Sequence, residues 1–265
     1  MSRTIRRTVA LALCISFLFS ALPPQPARAA NDSSPTVALT FDDGPHPGRT
    51  KRILSLLERY HVKATFFILG CNAEYYPEPL AMAVQAGHEI EDHSFDHVTR
   101  GKSVSDLKES ITRTAEIIER ASGRAPRYFR PPEGKCTREL DEALSALGYA
   151  TVFWTVDSRD WTGKPAEAIV RDVLATVQDG DVLLFHDYTC PGENTLHALE
   201  KIIPELLARG YRFVTVEEMF ASVQKETEQT VRFAPFLFTI LREARRDRLP
   251  IRNYLSLPLF AGDRS

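Results

Sequence analysis

The segment Thr36–Phe41 (TVALTF) runs directly into Asp42-Asp43-Gly44-Pro45, and this junction decides how the fold is interpreted. The segment is apolar and β-branched, which predicts a buried strand. Because glycine and proline break strand pairing, the strand must end at the two aspartates. A pair of carboxylates therefore lies at the carboxyl end of a strand, where parallel α/β folds place their sites.

Six further strand signals follow, separated by helical patterns. The strands are predicted at Ala64–Leu69, His88–Glu91, Tyr128–Phe129, Ala150–Val156, Val182–Phe185 and Arg212–Val214. The helices are predicted at Arg49–Tyr60, Pro79–Ala86, Ser103–Ala121, Thr137–Leu147, Pro165–Val177, Asn194–Ala208 and Val216–Val223. Strands that alternate with helices favour a parallel α/β fold, either an open doubly wound sheet or a closed barrel.

The overall composition is that of an ordinary globular protein. The 265 residues are 43% hydrophobic and 26% charged, which excludes disordered, collagen-like and coiled-coil chains. With 33 Lys+Arg against 35 Asp+Glu the formal net charge is -2, so nothing indicates a nucleic-acid partner.

The N-terminus has the pattern of a secretory signal peptide. Three arginines in the first seven residues precede the apolar run Thr8–Leu22, and Ala27-Arg28-Ala29 resembles a cleavage site. The run of about 15 residues is short for an uncleaved membrane anchor. We expect cleavage before Ala30 and a secreted or periplasmic protein, in which 29 basic residues stand against 35 acidic ones.

The chain divides into three parts: a signal peptide at 1–29, a catalytic domain at 30–223 and a C-terminal extension at 224–265. The residues from Ser222 onward carry a net charge of +3. Within them, Arg232–Arg248 is predicted to form an amphipathic helix. This helix would either pack on the domain or contact an anionic envelope surface.

Side chains suited to chemistry follow the other strands. His93 and His97 follow the third strand, four residues apart, and both rings can reach one ion. Two neutral imidazoles with one carboxylate, from either Asp42 or Asp43, make a three-ligand metal site with an open position. The second aspartate could then take a proton from water, and His186 after the sixth strand could protonate a leaving group. This combination predicts metal-assisted hydrolysis of an acyl compound.

Each of these motifs also has a plainer interpretation on its own. A His-x-x-x-His pair is more often two surface histidines, and Asp-Asp-Gly-Pro is more often a turn. Arg130, which precedes two prolines, would suit a surface ion pair. Their occurrence at successive strand ends in an exported protein favours a site.

The sequence resembles the polysaccharide deacetylase family, which comprises the NodB-like or chitooligosaccharide deacetylase domains of carbohydrate esterase family four. The resemblance spans Val37 to Phe220. It rests on five ordered segments: Thr40-Phe41-Asp42-Asp43-Gly44-Pro45, His93-Ser94-Phe95-Asp96-His97, Arg130-Pro131-Pro132-Glu133-Gly134, Asp157-Ser158-Arg159-Asp160-Trp161 and Leu183-Leu184-Phe185-His186-Asp187.

The resemblance implies a distorted (β/α)7 barrel and one divalent metal, most often Zn2+, with Co2+, Ni2+ or Mn2+ as alternatives. It implies the following roles: Asp42 as general base; Asp43, His93 and His97 as metal ligands; His186 as general acid; Arg130 orienting Asp42; Asp160 holding His186 protonated; Trp161 and Leu184 as walls of the acetyl pocket; and a backbone N–H near Glu133 for the oxyanion. A carboxylate beside an imidazole raises its pKa, which suits the acid.

One position departs from the family. The third segment often carries Tyr where this chain has Glu133, which removes an aromatic wall but keeps the backbone N–H. A carboxylate in the groove would repel an anionic sugar unless Lys135 offsets it. Arg100 and Lys102 are further candidate cations of the groove, and all of these charges also suit a solvated surface.

Three cysteines remain after removal of the signal peptide. In a barrel, the loops that carry Cys136 and Cys190 belong to the same face. A Cys136–Cys190 disulfide with Cys71 free is one hypothesis, and three thiols are the other.

The sequence thus predicts a metal-dependent hydrolase that removes N-acetyl groups from an N-acetylhexosamine polysaccharide. Peptidoglycan or a related envelope glycan is favoured, followed by chitin oligomers and by O-acetylated xylan. The alternative of a different class is a non-catalytic carbohydrate-binding barrel, against which the complete set of ligands, base and acid argues.

Overall fold

The computed structural model describes residues 34–98, 101–188 and 193–221. The strands are β1 (Thr36–Asp42), β2 (Thr65–Ile68), β3 (Glu89–Asp92), β4 (Tyr128–Phe129), β5 (Ala150–Thr151), β6 (Val156–Asp157), β7 (Asp181–His186) and β8 (Arg212–Val214). The helices are α1 (Arg49–Arg59), α2 (Gly70–Tyr75), α3 (Pro77–Gln85), α4 (Val104–Ser122), α5 (Arg138–Ala146), α6 (Ala166–Thr176) and α7 (Asn194–Ala208). Residues 216–221 are also helical. None of the described helices is both long and apolar enough to cross a bilayer.

Every strand pairing of the sheet is parallel, in the order β5-β4-β3-β2-β1-β7-β6. The central strand β1 pairs with β7 along most of its length. It pairs with β8 through Thr36–Ala38 and with β2 through Thr40–Asp42. The sheet therefore curls, and the (β/α) barrel expected from the sequence is confirmed in its distorted form.

The predicted strand Ala150–Val156 is wrong as a single strand, and the reason explains how the barrel closes. Its first part pairs with β4, where Val152 N donates to Phe129 O at 2.8 Å. Its second part pairs with β7, where Thr155 N donates to Val182 O at 3.0 Å. One segment thus serves both ends of the sheet, and it must break at 152–155 to cross between them.

The region after β2 also differs from the prediction. The sequence predicts no helix between Ala64–Leu69 and Pro79–Ala86, but Gly70 begins the short helix α2 there. The helix expected at Pro79–Ala86 begins two residues earlier, at Pro77. Prolines suit the first turn of a helix, because their missing N–H has no partner there anyway. The helices expected at Arg49–Tyr60, Ser103–Ala121, Thr137–Leu147, Pro165–Val177 and Asn194–Ala208 lie within one residue of their predicted ends. The end of the helix predicted at Val216–Val223 lies outside the described residues.

Alternation along the strands separates an outer core from an inner one. Val37, Leu39 and Phe41 of β1 point outward and pack in a fully buried cluster with residues of the surrounding helices. Ala38 points inward, into a cluster with residues of β2, β7 and β8. The next inward positions of β1 are Thr40 and Asp42, so the barrel interior becomes polar toward its carboxyl end.

The carboxyl ends of β1 and β7 fit closely together. Asp187 is completely buried and accepts a hydrogen bond from Thr50 of α1 at 2.5 Å. Burial raises the pKa of Asp187 to about 7. A Cβ atom added to Gly44 would lie 2.3 Å from Asp187 Oδ1 and 2.6 Å from its Cγ. Only glycine therefore fits at this position after the two aspartates.

We expect the substitution Gly44→Ala to lower the free energy of unfolding by about 1–3 kcal/mol, because the added methyl overfills this contact. Urea denaturation measures the change. Gly48→Ala is the matched control, because its added Cβ meets nothing closer than 4.0 Å. That control should lose less than about 1 kcal/mol, the effect of alanine at a helix N-cap. Equal losses in the two variants would contradict the close fit.

Candidate active site

The carboxyl ends of β1, β3, β4 and β7 bring the predicted catalytic side chains to one face of the barrel. Asp42 and His186 are direct neighbours in the register of β1 and β7. Asp42, Asp43, His93, Arg130 and Asp160 are all buried. Charged groups are rarely buried unless they are paired or bind a metal, so this polar interior has a specific arrangement.

Asp43, His93 and His97 form a cluster with the spacing of a metal site. One ligand atom of each lies within 4.8 Å of the others. Asp43 Oδ1 is 3.5 Å from His93 Nε2 and 3.6 Å from His97 Nε2. Two imidazole nitrogens and one carboxylate oxygen are a donor set that fits a divalent transition metal. The sequence left Asp42 and Asp43 open as the carboxylate ligand, and the structure places Asp43 between the two rings.

Hydrogen bonding and charge prepare the two histidines for this role. His93 Nδ1 lies 2.7 Å from the carbonyl of Arg130, which can only accept, so Nδ1 donates and Nε2 is left to bind a metal. Burial lowers the pKa of His93, but Asp42 and Asp43 outweigh it and the net pKa is raised. Burial and the neighbouring His93 lower the pKa of His97. A metal ion could take the place of the proton that the carboxylates attract.

Asp42 is held by a fully buried arginine. Arg130 Nη1 donates to Asp42 Oδ1 at 2.7 Å and to Thr40 Oγ1 at 2.8 Å. The same guanidinium donates to the carbonyls of Val152 and Phe153 at 3.3 Å each. Asp42 Oδ2, the other oxygen, lies 3.7 Å from His93 Nε2. Arg130 therefore fixes one carboxylate oxygen and leaves the other directed toward the metal cluster.

His186 and Asp160 form the second buried pair. His186 Nδ1 is 2.8 Å from Asp160 Oδ1, and Asp160 Oδ2 accepts from His186 N and from Thr195 Oγ1, both at 2.9 Å. Burial alone would lower the pKa of His186, but Asp160, with help from Asp42 and Asp43, raises it to about 9. His186 is thus protonated at neutral pH and can donate a proton.

The remaining predicted residues lie around this centre. Leu184 is buried on β7, two residues before His186, whereas Trp161 is 52% exposed in the short 3-10 helix Asp160–Thr162. Glu133 is exposed and forms an ion pair with Lys135, as the sequence suggested it could. Lys102 pairs instead with Asp96 at 2.8 Å. These positions are compatible with their predicted roles, which remain predictions.

Two sequence-based hypotheses fall at the edge of the described residues. Arg100 and Cys190 lie outside them. Among the described residues, Cys71 and Cys136 are thiols. Burial raises the pKa of Cys136 to about 11. Pairing of Cys136 with Cys190 therefore stays a prediction.

The loops of the site have an unusual backbone. Asp43, Ser94, His97, Glu133 and Arg159 all have positive φ values, between 55° and 75°. Each such non-glycine residue costs about 1–3 kcal/mol, and such residues collect at functional sites. The strands and helices beneath must supply this energy, so the site is formed by the folded barrel rather than by local preference.

The sequence does not indicate how the loop between His93 and His97 is anchored. The Phe95 ring packs under Arg113 of α4, whose Cζ is 3.7 Å from the ring centroid. Phe95 N donates to Ser110 Oγ, and its carbonyl accepts from Cys71 N, both at 2.9 Å. Arg113 is itself fixed by Glu74 at 2.9 Å. Arg113 lies on the exposed face of α4, where an arginine is ordinary, so the sequence gives no signal of this role.

A curled parallel sheet carries, at its carboxyl ends, a His/Asp cluster that could hold a metal, an aspartate held by an arginine and a histidine held by an aspartate. This is the arrangement expected of a metal-dependent hydrolase. The model of the family described as "Polysaccharide deacetylase" matches residues 29–152. The chain belongs to the polysaccharide deacetylase family. The named relatives are deacetylases, so this protein is a hydrolase of carbon–nitrogen bonds other than peptide bonds, acting on acetylated polysaccharides.

Three relatives illustrate the similarity. A peptidoglycan-N-acetylglucosamine deacetylase from Bacillus cereus is 40% identical over 188 residues, which is 69% of this chain and 68% of the relative. The structure of the peptidoglycan deacetylase PdaC from Bacillus subtilis matches with a TM-score of 0.70 and 34% identity, covering 76% of this chain and 98% of that one. The structure of a family 4 acetyl xylan esterase from Clostridium thermocellum, in complex with a cobalt ion, matches with a TM-score of 0.66 and 35% identity. The match covers 70% of this chain and 90% of that one.

We expect Asp160→Asn to move the alkaline limb of the kcat/KM profile to lower pH by about 1–3 units, because His186 loses the charge that raises its pKa. A pH series of acetate release measures the shift. Asp157→Asn is the control, since that carboxylate accepts from Arg159 N in the same loop. The proposed role of Asp160 requires that only the first variant shift the limb.

We expect Arg113→Ala to weaken metal binding about 10–100-fold, the usual effect of losing a partner behind metal ligands. Competition with a chelating dye measures this affinity directly. Arg120→Ala, on the same helix and 4.0 Å from Glu116, is the matched control and should bind metal normally. Unchanged affinity in Arg113→Ala would show that Phe95 is held well enough without it.

Proposed function

We propose that this protein removes N-acetyl groups from the N-acetylglucosamine residues of peptidoglycan, outside the cytosol, with Zn2+ as its metal. The observation that carries the proposal is the completeness of the site. Asp43, His93 and His97 can bind the metal, while Asp42 and His186 are neighbours in the register of β1 and β7. A binding-only barrel would have no need for a separately held base and acid.

The residues divide the reaction between them. Asp42, oriented by Arg130, would accept a proton from the attacking water as a bond forms to the acetyl carbon. A divalent cation would supply the positive charge that polarises the acetyl carbonyl. His186, kept protonated by Asp160, would donate its proton to the leaving amine nitrogen as the C–N bond breaks. The products are acetate and the free amino sugar.

Three considerations support the substrate, compartment and metal. Two of the three relatives described above are named for peptidoglycan. A signal peptide at 1–29 with cleavage before Ala30 would deliver the enzyme to the compartment where that polymer lies. Two imidazoles and one carboxylate with an open position suit zinc. The segment 224–265 lies outside the described residues, and we propose peripheral envelope contact for it.

The test is acetate release from peptidoglycan, from N-acetylglucosamine oligomers and from O-acetylated xylan, with and without a chelator. We expect release from peptidoglycan that stops with chelator and returns with Zn2+. Asp42→Asn should lose at least about 100-fold in kcat, the lower range of a general base. Release from xylan alone would show that the enzyme cleaves acetyl esters and would contradict the proposal. Release from the oligomers alone would assign it to chitin-like substrates instead of peptidoglycan.

The control for this test is a variant that leaves the site untouched. Leu147→Ala is suitable because Leu147 is 41% exposed at the end of α5, away from the strand ends that carry the site. Activity that survives in Asp42→Asn, or that a chelator leaves unchanged, would refute the mechanism.

A further inference from the structure

Four aromatic rings form a continuous surface beside the metal cluster, which we call the aromatic row. The ring of His46 lies 5.2 Å from that of Tyr188, measured between centroids. Tyr188 lies 6.4 Å from Tyr76, and Tyr76 lies 6.4 Å from Tyr75. These separations are those of rings in contact. None of the four residues has a role in the site described above.

The row begins at the active site and leads away from it. His46 follows the Asp-Asp-Gly-Pro turn, and Tyr188 lies two residues beyond His186. Tyr75 ends α2, and Asn72 of the same helix donates from Nδ2 to the carbonyl of Asp43 at 2.7 Å. A helix hydrogen-bonded to a metal ligand thus carries the far end of the row. The row is therefore connected to the catalytic loops through its chain neighbours and through this hydrogen bond.

The outermost ring of the row, that of Tyr75, is largely exposed to solvent. Tyr75 is 78% exposed, the largest value among the exposed large hydrophobic side chains of the described residues. The next is Trp161 at 52%, which the sequence assigns to the acetyl pocket. An exposed aromatic ring beside an active site is typical of a binding surface rather than of a core.

The inner rings are held in place and uncharged. His46 Nδ1 accepts from the backbone N–H groups of Gly48 and Arg49 at 3.1 and 3.0 Å, which fixes the ring. Burial and the nearby arginines lower the pKa of His46, so it is neutral. Partial burial and a hydrogen bond to Tyr76 raise the pKa of Tyr188. A surface of fixed, neutral rings selects for a neutral ligand.

Charged side chains near the row form ion pairs or bond to the backbone. Arg49 donates to the carbonyl of Tyr188. Arg52 pairs with Glu193, and Lys51 pairs with Glu78 at 2.7 Å. The row therefore presents ring faces and hydroxyl groups within a surrounding of compensated charge. This pattern argues against an anionic lipid surface as its ligand.

We propose that the aromatic row binds uncharged hexosamine residues of the glycan chain, beyond the sugar that loses its acetyl group. The inference rests on the proposed function and adds the site that would hold the rest of the polymer. One face of a pyranose ring presents C–H groups that pack on an aromatic ring, while its hydroxyls can bond to tyrosine hydroxyls. Rings arranged in a row suit successive sugars of one chain.

The test is the dependence of KM on the length of N-acetylglucosamine oligomers in Tyr75→Ala and Tyr76→Ala. For a hexamer we expect KM to rise about three- to tenfold, the worth of one aromatic contact, with kcat unchanged. For a dimer, which has only one sugar beyond the catalytic position, KM should rise much less than for the hexamer. Leu207→Ala, 38% exposed at the end of α7, is the control and should match the wild type at both lengths.

Tyr76→Phe separates the ring from the hydroxyl group and also guards against a misfolded alanine variant. It should retain most of the affinity for the hexamer if stacking is the main contribution. Equal changes in KM at both lengths, or unchanged KM for the hexamer in all three tyrosine variants, would overturn the proposal. Self-association that depends on Tyr75 without any effect of length would assign the row to a protein contact and overturn it too.

The two proposals fail in different ways. If the wild type releases no acetate from any N-acetylated glycan, the proposed function is refuted. Calorimetric titration of the intact protein with hexamer and dimer then still tests the aromatic row. Tighter binding of the hexamer that is lost in Tyr75→Ala would support it, and equal binding of both lengths would refute it.

Discussion

The buried ion pair between Arg130 and Asp42 is the contact on which most of the molecule depends. The arginine has no exposed surface and reaches from the end of β4 to β1 and to the carbonyls of the broken segment 152–155. Removing two charges from water is expensive, and good geometry with further hydrogen bonds must offset it. Burial lowers the pKa of Arg130, although Asp42 opposes this. The same guanidinium thus closes the barrel and orients the proposed base.

The residues that stabilise the fold and the residues of the site lie on opposite faces of the same strands. On β1, the outward residues Val37, Leu39 and Phe41 supply the apolar core, while inward Thr40 and Asp42 face the site. A shift of one residue in the register would exchange the two sets. The apolar pattern that buries the outer face therefore also fixes which aspartate points into the barrel and which lies beyond the strand to reach the histidines.

Much of this organisation could be predicted, because the signals were local. The helix expected at Ser103–Ala121 is found at Val104–Ser122, with Ser103 and Asp106 forming a capping box and Gly123 in the left-handed conformation at its end. Strand ends located the site residues for the same reason, since Asp42 and His186 each follow an apolar run and His93 follows the short strand predicted at His88–Glu91. The alternation of strands and helices is compatible with an open sheet and with a barrel. The family resemblance predicts the barrel.

What could not be predicted depends on residues far apart in the chain. The break in Ala150–Val156 follows from pairing with β4 on one side and β7 on the other, and no local signal marks it. Thr195 bonds to Asp160 from 35 residues away. The aromatic row joins Tyr76 to Tyr188, which no spacing rule connects. The positive φ values of Asp43 and His97 are likewise imposed by the fold, since neither is a glycine.

The broken segment 152–155 also limits how a second copy of this protein could pair with the edges of the sheet. Open sheets expose a row of unpaired backbone groups at each edge, to which another chain can add a strand. Here the two ends of the sheet are the two-residue strands β5 and β6, joined by only four residues. So short an edge offers little length for pairing. We therefore expect the division of one strand between both ends to disfavour edge-to-edge association of copies.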